Sequence, residues 1–280
     1  MRLRSLVQDA LYLNWALPAA ALPPLPRPLR LDAFIDGDGE RRAFASALLF
    51  RHRGVRSPLL PFLRVSYPQM NLRLYAHDGD GVPCVVFLDM LMPWWVVPAV
   101  RWVAEQPASV ARFDYPRPSR DPDPEGGGWV WQARRGGCLE VTARRGAPAW
   151  GDGPFGSWQE TVRFFRERPR GYLADDDRTR RFETEHPAVE VWPMVADVLD
   201  ASLLAAALPR VAAQGGWPAP HSAWLCPEIP LAFDLALVPA VDVEATLPRA
   251  AASTRSVSTR SASPGGGAER TPASAILRQS

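Results

Sequence analysis

Apolar and polar positions alternate with a period of two over much of the chain. In 69–77, Asn71, Arg73 and Tyr75 alternate with Met70, Leu72, Leu74 and Ala76. Successive side chains of a strand point to opposite faces, so three polar groups share one face and four apolar groups the other. Asp78-Gly79-Asp80-Gly81 follows, residues that accept the positive φ of a tight turn, and then Cys84–Leu88, apolar on both faces. The pattern predicts a hairpin whose second strand is covered on both sides. A similar hairpin is expected from 29–35 and 42–53 around Asp36-Gly37-Asp38-Gly39, another from 129–134 and 138–144, and another from 171–174 and 179–185 around Asp175-Asp176-Asp177. A strand is expected at 109–115, a strand or turn at 189–194, and a last pair of short strands in 222–237.

Helical periodicity marks four segments. The first, 6–15, ends before Pro18, and Pro23, Pro24, Pro26 and Pro28 then hold an extended stretch. The second, 94–106, places Trp95, Ala99, Trp102 and Val103 on one face that reads as core. The third opens at Ser157, which forms a capping box with Glu160, buries Trp158, Val162 and Phe165, turns Arg163 and Arg166 outward, and stops at Pro169. The fourth is 195–208. Gly151, Gly153 and Gly156 match G-x-G-x-x-G, but no buried strand precedes them and no acid follows at the ribose position, so the capping reading is preferred. Hairpins with helices inserted between them predict an α+β fold with a mainly antiparallel sheet that covers its edges by closing into a barrel or cone with flanking helices. One domain is expected over 1–247. A disordered tail is expected over 248–280, rich in Ser, Arg, Gly and Pro and without an aromatic residue.

Composition narrows the chemistry. Apolar residues make up 47% of the 280 and charged residues 22%, as in a soluble globular protein. All 32 basic residues are arginine, so no side chain can form a Schiff base. Net charge is +2, and the five Arg and one Glu beyond residue 248 leave the rest at about −2, with no general basic field for nucleic acid. Cys84, Cys138 and Cys226 are widely spaced and odd in number, which suits reduced thiols in a cytoplasm. Gln8, Asp9 and Asn14 break the apolar run a signal peptide needs, and 84–100 contains Asp89 and two prolines and falls short of a bilayer span. A soluble cytoplasmic protein without membrane contact is expected.

The sharp catalytic templates are missing: no G-x-S-x-G, H-E-x-x-H, C-x-x-C or P-loop occurs. His52, His77, His186 and His221 stand far apart, and the acidic loop with Asp121, Asp123 and Glu125 fixes no metal geometry, so neither metal nor cofactor is expected. Cys84, in an apolar strand, reads as an inert thiol. Arg73 remains. An arginine among covered strands needs an acid partner or an acidic ligand. Asn71, Arg73, Tyr75 and Asp89 are therefore the candidate ligand-binding residues. An odd hairpin loop puts Asp89 on the face of Arg73, opposite Asn71, and an even one puts it on the other face.

Asn14-Trp15 followed by prolines, Leu31-Asp32-Ala33-Phe34, Asn71-x-Arg73-x-Tyr75, Gly156-Ser157-Trp158 with Phe165, Glu167 and Arg168, and His186-Pro187 occur in one order along 5–235. In this the chain resembles the YqjF-like bacterial family, which is similar in fold to acetoacetate decarboxylase. The resemblance implies a cone-like antiparallel barrel with flanking helices and an internal cavity. Gln69 stands where the family pattern has an acid and Pro169 departs from it too. Acetoacetate decarboxylase works through a Schiff-base lysine that this chain lacks, so the reaction does not carry over. Two functions stay open. One is binding of a small organic acid, with Arg73 gripping a carboxylate or enolate. The other is a lysine-independent lyase or isomerase in which Arg73 stabilises negative charge while Tyr75 or Asp89 moves a proton. A structural Arg73–Asp89 ion pair is the third possibility.

Overall fold

The fold is built on long paired strands, in a computed structural model that describes residues 2–57, 60–103, 107–120, 127–151, 153–175, 178–183 and 187–234. In chain order the strands are β1 (Arg2–Pro18), β2 (Arg30–Leu31), β3 (Ala33–Ile35), β4 (Arg41–Ser57), β5 (Leu60–His77), β6 (Pro83–Met92), β7 (Ser109–Val110), β8 (Arg112–Asp114), β9 (Trp129–Arg134), β10 (Cys138–Arg145), β11 (Arg170–Asp175), β12 (Arg178–Glu183), β13 (Trp192–Asp200) and β14 (Ser222–Asp234). The helices are α1 (Val97–Val103), α2 (Trp158–Arg166), α3 (Ser202–Ala207) and α4 (Pro209–Ala212). The chain divides into a unit of residues 1–245 and a segment 246–280, and the expected tail lies outside the described residues. Among the described residues no helix is long and apolar enough to cross a membrane.

One sheet takes in every strand, in the order β12-β11-β6-β5-β4-β1-β14-β13-β10-β9-β8, with β2 on β5, β3 on β4 and β7 on β6. The antiparallel hairpins expected at β3–β4, β5–β6, β9–β10 and β11–β12 are present. Most strand pairs are antiparallel, as expected, but the expectation of a closed barrel is corrected. The strand order is open-ended and the sheet is mixed, because β6 runs parallel to both β11 and β7. The long connections holding α1 and α2 supply the crossovers that parallel pairing requires.

Residues 6–15 form the middle of β1 and not a helix. Past Asp9, Leu11, Leu13, Trp15 and Leu17 face one side, and Ala10, Tyr12, Asn14 and Ala16 the other. Asp9 adopts φ +50°, and the pairing of β1 with β4 shifts between Gln8 and Leu11. This bulge puts the alternation before it out of phase with the alternation after it, and that break hides a strand's period of two. Residues 195–200 continue β13, leaving only Ser202–Ala207 of that stretch helical, and the described part of the expected pair of short strands, 222–234, is the single strand β14. Helix α1 begins at Val97, later than expected, and is oriented differently, while 104–106 of the expected helix lie outside the described residues. Val96 and Val97 are buried, while Trp95 is 46% and Trp102 87% exposed. Both Asp-Gly-Asp-Gly segments are plain turns: Asp36 Oδ1 accepts from the amides of Asp38 and Glu40, and Asp78 Oδ1 from those of Asp80 and Val82, with Gly39 and Gly81 at φ near +80°.

The central strands are buried on both faces. Leu11, Leu13, Trp15, Ala45, Leu49, Leu72 and Leu74 join Trp131, Leu139 and Val141 of the sheet's other end and Leu204 of α3 in the main core. The opposite face carries Tyr12, Phe44, Leu48, Tyr75 and Trp224, covered by Val162 and Phe165 of α2. As expected, Ser157 caps α2 by accepting from the Glu160 amide at 3.2 Å, and Glu160 reaches back to the Gly156 amide at 2.8 Å.

Candidate functional site

The α2-covered face carries a polar row across four strands. Arg73 of β5 pairs in register with Ser46 of β4, Ser46 with Asn14 of β1, and Asn14 with Ser222 of β14. These four residues are at most 6% exposed. Hydrogen bonds link them. Arg73 Nε donates to the Tyr75 hydroxyl at 3.2 Å, that hydroxyl lies 2.7 Å from Ser46 Oγ, Ser46 bonds Asn14 Oδ1, and Asn14 Nδ2 lies 3.3 Å from the Ser222 carbonyl. His221 Nδ1 meets Ser222 Oγ at 3.2 Å.

The donor directions follow from the far end. A carbonyl only accepts, so Asn14 turns its NH2 to Ser222 and its oxygen to Ser46. Ser46 spends its one proton on that oxygen and accepts from Tyr75. The Tyr75 proton is thereby committed to Ser46, and its oxygen accepts from Arg73. Aromatic rings close over the row: Phe165 lies edge-on to Tyr75 at 4.9 Å and to Phe44 at 5.0 Å, and Trp224 stacks on Tyr12 at 5.1 Å.

Two arginines lie against Tyr75, and their charges are answered differently. Arg168, 3% exposed, donates from Nη1 to Asp32 Oδ2 at 2.8 Å and from Nε to the Phe164 carbonyl at 2.8 Å. Arg73 has no carboxylate partner among the described residues. Its guanidinium lies 5.2 Å from the Tyr12 ring and 5.5 Å from the Tyr75 ring, and its Nη2 is buried without a hydrogen-bond partner. Burial pushes the Arg73 pKa down, but the hydroxyls of Tyr75 and Tyr12 beside it leave it raised. Burial lifts the Tyr12 hydroxyl to about 12.

Of the four candidate residues, the structure brings Asn71, Arg73 and Tyr75 onto one buried face and removes Asp89. Asn71 Oδ1 accepts from Gln69 Nε2 at 2.7 Å, so Gln69 holds Asn71 where an acid had been expected. The β5–β6 loop, Asp78–Val82, is odd as preferred, yet Asp89 pairs across from Leu72 and not from Asn71. A bulge that leaves Leu88 unpaired between the Arg73–Phe87 and Leu72–Asp89 pairs turns Asp89 to the other face, where it forms a salt bridge with Arg135. The structural Arg73–Asp89 pair is therefore excluded. Burial pushes the Cys84 thiol up to about 12, in keeping with an inert role. Asp121, Asp123, Glu125 and His186 lie outside the described residues.

Sequence reasoning missed Ser46, Ser222 and Tyr12. Ser46 was detectable as the lone polar residue in Ala43–Phe50, a run with no other. The scattered motif residues do meet: Asn14 and Tyr75 through Ser46, Asp32 with Arg168, and Phe165 on Tyr75. A family model for DUF2071, described as "Uncharacterized conserved protein", matches residues 5–230. The chain belongs to this family. Solved structures share its fold. The enduracididine biosynthesis enzyme MppR complexed with pyruvate aligns at TM-score 0.56 and 15% identity, over 83% of this chain and 88% of its own. An acetoacetate decarboxylase-like enzyme from Sphingomonas wittichii RW1 aligns at TM-score 0.54 and 15% identity, over 85% and 94%. No curated protein matches the chain. At that identity the likeness establishes an acetoacetate decarboxylase-like fold for this DUF2071 member and leaves its chemistry to its own residues.

Proposed function

We propose that this protein binds a small organic acid, a carboxylate or keto acid, through Arg73, on the face shared with Asn71 and Tyr75. The observation that carries the reading is the buried, unpartnered Nη2 of a guanidinium with no acid beside it among the described residues. A buried cation with no opposite charge beside it still lacks its strongest partner, and the two aromatic contacts return about 0.5–2 kcal/mol each. A carboxylate would supply the missing charge and accept from Nη2. Tyr75 holds Nε and so fixes which edge is presented. The solved structure of MppR with pyruvate gives the reading its chemical precedent on this fold.

The catalytic alternative loses both of its proton carriers. The Tyr75 proton is committed to Ser46, and Asp89 sits on the other face with Arg135. These engagements favour binding over turnover. Thermal shift against a panel of small carboxylic and keto acids tests it. A ligand at about a hundred times its Kd adds roughly 2.7 kcal/mol, which raises the midpoint of a domain this size by about 2–4 °C per kcal/mol. At least one acid is expected to shift the wild type and to leave Arg73→Met unmoved. An acid that shifts both proteins equally would place the site elsewhere.

A further inference from the structure

Remote from Arg73, the ends of β1, β4, β5 and β14 enclose an open cavity of about 710 Å³ lined by Arg4, Arg53, Arg56 and Arg64, with Ser5 and Pro230 between them. Among the described residues no acid lines it, and none of the four arginines forms an ion pair. Two of them, Arg4 and Arg56, are direct cross-strand partners. Like charges placed opposite one another on neighbouring strands destabilise a sheet. Four guanidinium groups thus share a concavity in a chain whose first 248 residues carry a net charge of about −2. Arginines that served only solubility would be spread among acids on convex surface.

We propose that this cavity is a second anion site, and that it takes a small phosphorylated ligand with two or more negative charges. A guanidinium fork matches a pair of phosphate oxygens, and several forks around one concavity suit an anion with several oxygens and more than one charge. The volume accommodates a molecule of nucleotide size. The site is independent of the proposed acid site. Arg64 and Arg73 are nine residues apart on β5, about 30 Å along a strand at 3.3 Å per residue, so no single small ligand reaches both.

The test titrates pyrophosphate, inorganic phosphate and succinate into the full chain by calorimetry and thermal shift, with sodium chloride at matched ionic strength as the control. Pyrophosphate is expected to bind saturably and more tightly than phosphate or succinate, and the salt control to give no saturable shift. The Arg53→Gln/Arg56→Gln variant is expected to lose roughly ten- to hundredfold in pyrophosphate affinity. Without ligand it should unfold no earlier than the wild type, since repulsion has been relieved. Arg73→Met should bind pyrophosphate as the wild type does. Equal effects of chloride and pyrophosphate would reduce the site to charge screening and overturn the proposal. Full affinity in the double variant would overturn it too, by placing the anion elsewhere, including on the arginines beyond residue 248. Succinate binding as tightly as pyrophosphate would overturn the phosphate assignment.

Discussion

Tyr75 and His52 show how burial of one polar group sets a measurable property. The Tyr75 hydroxyl accepts from Arg73 and donates to Ser46, both out of contact with water. Tyr75→Phe leaves Arg73 Nε without its acceptor and is expected to cost about 1–3 kcal/mol in equilibrium unfolding. Ser46→Ala, which removes one hydroxyl between Tyr75 and Asn14, should cost a similar amount. His52 is 5% exposed and meets Ser5 Oγ at 2.9 Å. Burial pushes its pKa down to about 4, against a smaller opposing hydrogen bond with Gln69. The folded state therefore refuses a proton that the unfolded chain takes up near pH 6.5. Stability from this source is complete above about 6.5 and falls as the pH drops toward 4, by about 1.4 kcal/mol per unit and roughly 3 kcal/mol in all. Urea unfolding at pH 7, 6, 5 and 4.5 should show that slope in the wild type and lose it in His52→Gln.

The elements succeed or fail to be readable for local reasons. The cap of α2 was legible because Ser157 and Glu160 act within one turn, and Ser157→Ala is expected to cost about 1 kcal/mol by thermal or urea unfolding. The turn at Asp78 was legible as a turn, but its second duty was not. Asp78 Oδ2 also accepts from Arg170 Nη1 at 2.6 Å and from the Tyr172 hydroxyl at 2.9 Å, tying the β5–β6 hairpin to the parallel strand β11. Asp78→Ala should cost about 2–3 kcal/mol, whereas the corresponding Asp36, whose side-chain contacts stay within Asp36–Arg42, should cost less on the same change. The bulges at Asp9 and Leu88 were not legible, because a bulge is decided by two strands together and leaves no mark in either alone. Each had a consequence: the first disguised β1 as a helix, and the second carried Asp89 away from Arg73.

At the scale of the whole molecule, the hairpins, the resemblance and the solved structures agree on an acetoacetate decarboxylase-like fold, in a chain that contains no lysine. Local pairing could be read from turns and alternation. Sheet closure could not, since the parallel approach of β11 to β6 joins residues about ninety positions apart that no local pattern links. Arg73 stood out in the sequence because a charge broke an apolar strand. Its partners Ser46 and Asn14 sit on other strands and became visible only when pairing aligned them. The central claim is that Arg73 is held for a ligand and not for the fold, and equilibrium unfolding of Arg73→Met without any ligand tests it most directly. Replacing a buried, unpaired charge by an apolar side chain of similar length is expected to leave the protein as stable as the wild type or to stabilise it by about 1–4 kcal/mol. A loss of about 3 kcal/mol or more would mean that Arg73 holds the sheet together, and would contradict the account.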